Sequence, residues 1–362
     1  MKNIHKIVLT GGPCAGKTTA LRSLQKHFSE KGFRVLCVGE TASDYLSGGM
    51  SPFNMDNVTF QFMITSTMIF KESMVQLAAE TVPEENVLIV CDRGQMDNLA
   101  YMTQDEFVRL QERMDTNIVK MRDEYEAVFH LETLAKASPD LYEKNVNTNA
   151  ARYETAQDAI DTDNKTLSAW VGQPHLRIVG GSVDFDTKIN RLLNEVESFI
   201  MGGLEIERKF LIKKPDTEKL KSMELCELID IEQSYFEDAN GSYRIRKRGQ
   251  YGHNIYIRTQ KQAVGGAVRE EIETRISEDE AIKYMELPHT TLHKTRACIA
   301  HGGKYFELDM YPYSDEYALL EIELLSEDED FTLPEFCEVV REVTDDKRYS
   351  NHSIAQTHKL DL

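Results

Sequence analysis

Hydrophobic positions follow two different rhythms along the chain, and the change falls near residue 200. Before it, short runs too apolar to alternate stand between longer stretches with apolar residues three and four apart. Lys6–Leu9, Val35–Val38, Val87–Cys91 and Arg177–Val179 read as buried parallel strands, with a further strand among Thr116–Val119 and Ala127–Leu131. Helical spacing covers Thr19–Glu30, where Leu21, Leu24 and Phe28 share a face and Gly32 ends the run. It recurs over Val58–Ala79, Ala150–Trp170 and Asp186–Ile200. Ala135–Thr148, with Ser138-Pro139-Asp140 and a cluster of asparagines, reads as loop. Strands alternating with helices predict a three-layer α/β domain.

After Met201-Gly202-Gly203, a glycine pair between a helix and a strand, the period becomes two. The expected domains are therefore 1–200 and 204–362. Leu204–Ile212, Glu232–Phe236, Ser242–Arg248, Asn254–Lys261, Val268–Ile276, Thr291–Ala297, Lys304–Tyr311 and Ala318–Leu325 all read as strands, about eight in number. Ser277–Met285 and Pro334–Val340 read as helices. An α+β antiparallel domain follows.

A chain of 362 residues suits two domains, and 41% apolar with 28% charged residues is ordinary for a globular protein with a core. The net charge of −19 argues against an extended nucleic-acid or membrane surface. Six cysteines without a CxxC suit a reducing compartment. No apolar leader segment opens the chain and no run approaches a membrane span, so a cytoplasmic protein is expected. Oligomeric state is left open.

The first strand feeds Gly11-Gly12-Pro13-Cys14-Ala15-Gly16-Lys17-Thr18-Thr19, in which Gly11, Gly16, Lys17 and Thr18 satisfy GxxxxGK[ST]. A glycine-rich turn can match by chance, but the strand before and the helix after are what the motif needs. Backbone N–H groups and the helix N-terminus would cradle phosphates, Lys17 would reach the β- and γ-phosphates, and Thr18 would hold Mg²⁺. Glu40, at the end of the second strand, could orient or deprotonate an acceptor, or merely cap the next helix. Asp92, after the most apolar strand, has the Walker B placement and would hold Mg²⁺ through water. Arg93 could touch phosphates or fold back on Asp92, and Asp97 could cap a helix.

These residues, with Glu40-Thr41, Phe60-Gln61 and Asp92-Arg93-Gly94, give the first half a resemblance to P-loop kinase-like ATPases of the AAA type. The resemblance implies binding of ATP or GTP. It also makes Arg152 a candidate lid arginine, against the plainer reading of a solvated helix residue.

In the second half the charged faces carry pairs of one sign at i and i+2: Glu205/Glu207, Arg244/Arg246, Glu271/Glu273, Lys294/Arg296, Glu307/Asp309 and Glu321/Glu323. Like charges so placed repel unless something bridges them. Metal ions between carboxylates and phosphates between cations would do so, inside a closed sheet with a polar bore. An ordinary sheet with one wet face is the alternative. The series resembles the CYTH family of triphosphate tunnel metalloenzymes, whose ExExK hallmark stands here as Glu205, Glu207 and Lys209. That family includes inorganic triphosphatases, and the resemblance implies an eight-stranded tunnel. Carried over, Glu205, Glu207, Glu321 and Glu323 would coordinate Mg²⁺ or Mn²⁺. Lys209, Arg244, Arg246, Lys261, Lys294 and Arg296 would hold the triphosphate, and Lys209 and Tyr235 would position or activate water. The whole chain is similar to tandem ATPase/CYTH proteins of the TRPL-translocation-defect type. The expected function is a two-domain phosphohydrolase acting on nucleotide and triphosphate small molecules. A nucleotide-gated module that senses a phosphorylated ligand, or an RNA 5′-end triphosphatase and kinase, is the alternative.

Overall fold

In a computed structural model the apolar runs of the first half become five strands. They are β1 (Asn3–Thr10), β2 (Arg34–Val38), β3 (Asn86–Asp92), β4 (Ala127–Leu131) and β5 (Leu176–Val179), ordered β2-β3-β1-β4-β5 with parallel pairings. The structure describes residues 2–147, 155–180, 184–202, 206–238, 241–265 and 268–360, and at 145–147, 238, 261–265 and 268–271 the backbone alone. Two compact units result, Met1–Glu205 and Ile206–Leu362. Among the described residues no helix is long and apolar enough to cross a membrane.

The continuous apolar character of β1 and β3 follows from burial on both faces: Ile7, Val8 and Val87 to Cys91 are inaccessible to solvent. Each such aliphatic side chain contributes about 1.5–3 kcal/mol by leaving water. Chain connections leave β1 toward neighbours on both sides, so a crevice opens at its carboxyl end, where ligands bind in open α/β sheets. The glycine-rich loop sits there, between β1 and the helix Lys17–Glu30.

Local chemistry redirected two expectations. Thr116–Val119 forms no strand, because the Asn117 side chain accepts from the Lys120 N–H and starts the helix Ile118–Arg122. The supposed loop Ala135–Thr148 contains the helices Leu134–Ala137 and Pro139–Asn147. Thr133 caps the first, Pro139 suits the opening turn of the second, and Tyr142 is buried there. The helix expected over Ala150–Trp170 runs Ala156–Trp170, with its earlier residues outside the described ones.

The second unit is one antiparallel sheet. Its strands are β6 (Ile206–Lys213), β7 (Cys226–Asp238), β8 (Gly241–Gln250), β9 (His253–Gly265), β10 (Val268–Ile276), β11 (Thr290–His301), β12 (Lys304–Met310), β13 (Tyr317–Leu324) and β14 (Val339–Glu342). Their order is β10-β9-β8-β7-β11-β12-β13-β6-β14, nine strands where the sequence predicts about eight. The additional strand replaces the helix expected at Pro334–Val340: β-branched Val339, then Arg341 and Glu342, pair with β6 instead, with a bulge at Val340. Alternation sorts the two faces of the sheet. Phe210, Ile212, Ala297, Ile299, Phe306, Leu308, Leu320 and Ile322 pack together under Phe331, Leu333 and Phe336. The charged residues of the same strands are thereby sent to the other face.

Candidate active sites

Sterics shape the glycine-rich loop. Gly11 has φ +134°, and a Cβ there would stand 2.0 Å from the Leu131 carbonyl oxygen. A Cβ on Gly12 would meet the Asp163 Cβ at 2.7 Å. The Lys17 ammonium donates to the carbonyls of Gly11 (2.8 Å) and Gly12 (3.0 Å). Burial, with Arg93 nearby, lowers its pKa to about 8, against the pull of Asp92, Asp97 and Glu40. Thr18 and Thr19 open the helix on its exposed side.

Behind the loop stands a group that no motif singles out. Asp163 is fully buried and accepts from the N–H groups of Gly12 (2.7 Å) and Thr133 (3.1 Å). It also pairs with Lys136 (2.8 Å) and faces His130 (3.2 Å). Burial pushes its carboxyl up, but His130 and Lys136 outweigh this and hold it well below the usual range. Thr133 donates to the Pro13 carbonyl (2.6 Å), and Lys188 donates to those of Ala15 (3.0 Å) and Glu132. Cys14, half-buried, takes φ 54° in the same loop. The loop is thus braced by side chains remote in sequence, with Asp163 coming from the middle of the helix Ala156–Trp170.

Asp92 and Arg93 end β3 beside the loop. Arg93 turns neither to solvent nor onto Asp92: its guanidinium donates to Glu40 (2.8 Å) and Asp97 (3.1 Å). Its backbone takes φ 73°, a rare conformation for a long side chain, and its N–H donates to the Leu9 carbonyl (3.0 Å). Glu40 does stand at the N-cap position, yet its carboxylate serves Arg93 and Ser43. Asp97 caps the turn after β3 through the Gly94 N–H (2.8 Å) and also accepts from Thr10 and from the Trp170 indole (3.3 Å). Asp92 Oδ1 is buried without a hydrogen-bond partner, and burial raises the pKa of this carboxyl. An orphaned carboxylate oxygen within the field of Lys17 fits a hydrated cation. Arg152 lies outside the described residues.

On the charged face of the second unit, strand register decides who meets whom. Arg296 lies opposite Asp309, Glu321 opposite both Lys209 and Glu307, and Glu207 opposite Glu323. Arg296 grips Asp309 with two hydrogen bonds (2.7 and 2.8 Å), pairs with Glu307 and reaches Glu321 at 3.4 Å. Lys294 pairs with Asp309 and donates to Asn351 (3.1 Å). Lys209 bridges Glu207 (3.1 Å) and Glu321 (2.8 Å). The like-charge pairs of single strands are therefore largely answered by neighbouring strands, a pairing that period-two reading within a strand does not reveal.

Two places keep an imbalance. Burial, with Glu321 beside it, raises the pKa of Glu207 despite Lys209. Arg246 has Glu273 at 3.9 Å, while Arg244 reaches the same carboxylate at 3.4 Å. Burial, then Arg244 and Arg296, lowers the pKa of Arg246 to about 10. Tyr235 lies opposite Arg244 and edge-on to His352. Burial lifts its hydroxyl pKa to about 12. A cavity of about 970 Å³ joins Glu207, Lys209, Tyr235, Arg244, Asn351 and His352. Glu323 is exposed, Lys261 is placed in β9 by its backbone alone, and Glu205 lies outside the described residues. Among the described residues no three His, Cys, Asp or Glu side chains are gathered as for a metal. Asn351 and Glu273 take part in this face without having been assigned a role from sequence.

Comparison with known proteins follows the same division. The model of an AAA domain family matches residues 6–188, and that of the CYTH domain matches residues 203–356. An inorganic triphosphatase of Nitrosomonas europaea is 32% identical over 159 residues, which cover 42% of this chain and 96% of that protein. A crystal structure of an inorganic triphosphatase is 30% identical, covering 42% of this chain and 93% of that one, with a TM-score of 0.31. A Pyrococcus horikoshii protein is 20% identical over 33% of this chain and 80% of its own, with a TM-score of 0.24. The chain belongs to the proteins in which an AAA domain is fused to a CYTH domain.

Proposed function

We propose that the second unit hydrolyses inorganic triphosphate, or an organic triphosphate, and that the first binds ATP or GTP and hydrolyses it or transfers its terminal phosphoryl group. The state of Arg246 carries the first part. A guanidinium crowded by two others and short of carboxylates is stabilised by an incoming polyanion, and the cavity lined by Lys209, Tyr235 and Arg244, one of those two neighbours, has room for one. β8 and β11 flank β7 in the sheet, so the cations of both strands would face the same ligand.

The resemblance to triphosphate tunnel metalloenzymes implies a divalent cation, and Glu207, Glu321 and Glu323, with Glu205, have the hard oxygen donors that Mg²⁺ or Mn²⁺ takes. The raised proton affinity of Glu207 is the strain that such an ion relieves. A bound ion would neutralise phosphate oxygens and polarise the bond to be broken. Arg244, Arg246, Lys261, Lys294 and Arg296 would orient the chain of phosphates. Lys209, whose pKa is raised because Glu321 and Glu207 outweigh its burial, and Tyr235 both keep their protons at neutral pH. They therefore donate hydrogen bonds to the attacking water or the phosphate and do not act as bases. Water attacks the terminal phosphorus in line and gives its proton to a phosphate oxygen, the bond to the bridging oxygen breaks, and pyrophosphate, or the diphosphate of an organic substrate, leaves with the electron pair. Catalysis comes mainly from positioning and charge neutralisation. In the first unit Lys17 would contact the β- and γ-phosphates, with Thr18 and Asp92 toward Mg²⁺.

Phosphate release from tripolyphosphate, assayed with Mg²⁺ and Mn²⁺ separately, tests both parts. Arg246→Ala should abolish it and Lys17→Ala should leave it intact, while ATP binding shows the reverse. Equal loss in the two variants, or no turnover of any triphosphate, overturns the two-site reading.

A further inference from the structure

The arginines of the charged face are held in two different ways. Arg296 is clamped: Asp309, fully buried, takes two hydrogen bonds from it at 2.7 and 2.8 Å. Arg244 and Arg246 meet instead at Glu273, on β10, which stands at the end of the sheet among the described residues. Register aligns the contact. Glu273 lies opposite Thr259, Thr259 opposite Arg244, and Arg244 opposite Tyr235. One atom collects the donors: Glu273 Oε1 accepts from the Thr259 hydroxyl at 2.9 Å and from Arg244 at 3.4 Å, and stands 3.9 Å from Arg246 Nη1.

Three donors converging on one anionic oxygen are what a phosphate oxygen would use in the same place. Thr259 and Arg244 also line the cavity of about 970 Å³ beside Lys209 and Tyr235, so these donors border the space a polyanion would enter. The carboxylate holds the arginines loosely. Charge-assisted N–H···O⁻ bonds run at about 2.7–2.9 Å, and both arginine contacts are longer. The Glu273 side chain is 37% exposed, so water screens the pairs, whereas Asp309 has none around it. A phosphate group carries more charge and several oxygens, and two guanidiniums prefer it to a single carboxylate.

We propose that Glu273 is a displaceable counter-ion of the second unit's site, on the reading that this unit binds a triphosphate. In the free protein its carboxylate occupies the place of one substrate phosphate and steadies Arg244 and Arg246 against their mutual repulsion. When the polyanion arrives, Glu273 yields both arginines and turns toward solvent, which its exposed place at the sheet's end permits. It is a positioning residue that sets affinity. A ligand gains from the two arginines only the surplus over what Glu273 already supplies. A lone phosphate gains little by that exchange, while a chain of phosphates gains Lys209 and the other cations as well.

The test compares the full-length wild type with Glu273→Gln, which keeps the shape and can still accept from Thr259. The readouts are KM and kcat for tripolyphosphate with Mg²⁺, the calorimetric Kd for tripolyphosphate, and the melting temperature. Glu273→Gln should lower KM and Kd by about three- to tenfold, with a smaller change in kcat. Glu273→Asp, which keeps the charge but draws it back from the arginines, should fall between the two. A purely structural role predicts the opposite sign, a raised Kd with a lowered melting temperature. An unchanged or raised Kd in Glu273→Gln overturns the proposal, and so does loss of the response to Mg²⁺, which would make Glu273 a metal ligand. If tripolyphosphate binds without turnover, the proposed hydrolysis fails while the Kd comparison still decides this point. If the wild type binds no tripolyphosphate, the reading of the site falls and this proposal with it.

Discussion

The two units would receive phosphate in opposite ways. In the first, the candidate anion site is mostly backbone: a loop of glycines at a helix N-terminus, one lysine, and a brace of buried side chains behind it. In the second, it is entirely side chain, a sheet face on which cations and carboxylates interlock across strands. A backbone site stays in place when a side chain is lost, because the loop's path is fixed by sterics. A side-chain site is coupled, since removing one charge strands its partners. The contrast predicts where substitutions should be felt as lost stability and where as lost binding.

The largest effect belongs to Arg296→Met. Asp309 is fully buried and would lose its bidentate partner, so about 3–5 kcal/mol of stability should disappear from the second unit's unfolding transition in denaturant. Retention of full stability would show that water or Lys294 alone satisfies Asp309. Arg246→Ala comes next. It has one weak carboxylate contact, at 3.9 Å, so its loss should fall on activity, with tripolyphosphate turnover down about 10²–10³-fold and stability nearly unchanged. Comparable losses of stability in the two variants would erase the distinction between clamped and free arginines.

A smaller effect separates the backbone site from the side-chain one. Lys17 has a pKa of about 8 in the free protein, and phosphates would raise it on binding. Protonation therefore favours the complex, and affinity for ATP is lost as pH rises through the free-protein value. Calorimetry should show about a tenfold weaker complex at pH 9 than at pH 7. Lys209 is held above its ordinary range by Glu321 and Glu207, so tripolyphosphate affinity should not follow this profile. Smallest is Arg208→Ala. The pair Arg208–Glu342 is partly exposed to solvent at 2.7 Å, and loss of the ion pair should cost less than about 1 kcal/mol by thermal denaturation.

Much of both sites was legible along the chain. The phosphate loop is contiguous, and its glycines are required by φ and close approach, so a local pattern suffices. The alternation of Glu207, Lys209, Arg244, Arg246, Lys294, Arg296, Glu307, Asp309, Glu321 and Glu323 correctly placed these residues on one side of their strands. The helix at Pro139–Asn147 and the strand Val339–Glu342 were hidden by asparagines and a proline, whose turn preference was overridden by capping and by pairing with β6.

What the sequence by itself determined is therefore local: which residues alternate and which loop must be glycine-rich. Tertiary structure alone decided the partners. Strand register set Asp309 against Arg296 and left Arg246 undersupplied with carboxylate. Chain topology brought Asp163 behind Gly12 and drew Arg93 onto Glu40 and Asp97. The reason is physical: a periodic pattern fixes the face of an element, whereas the energy of a buried charge depends on the atoms that folding places within a few ångströms of it.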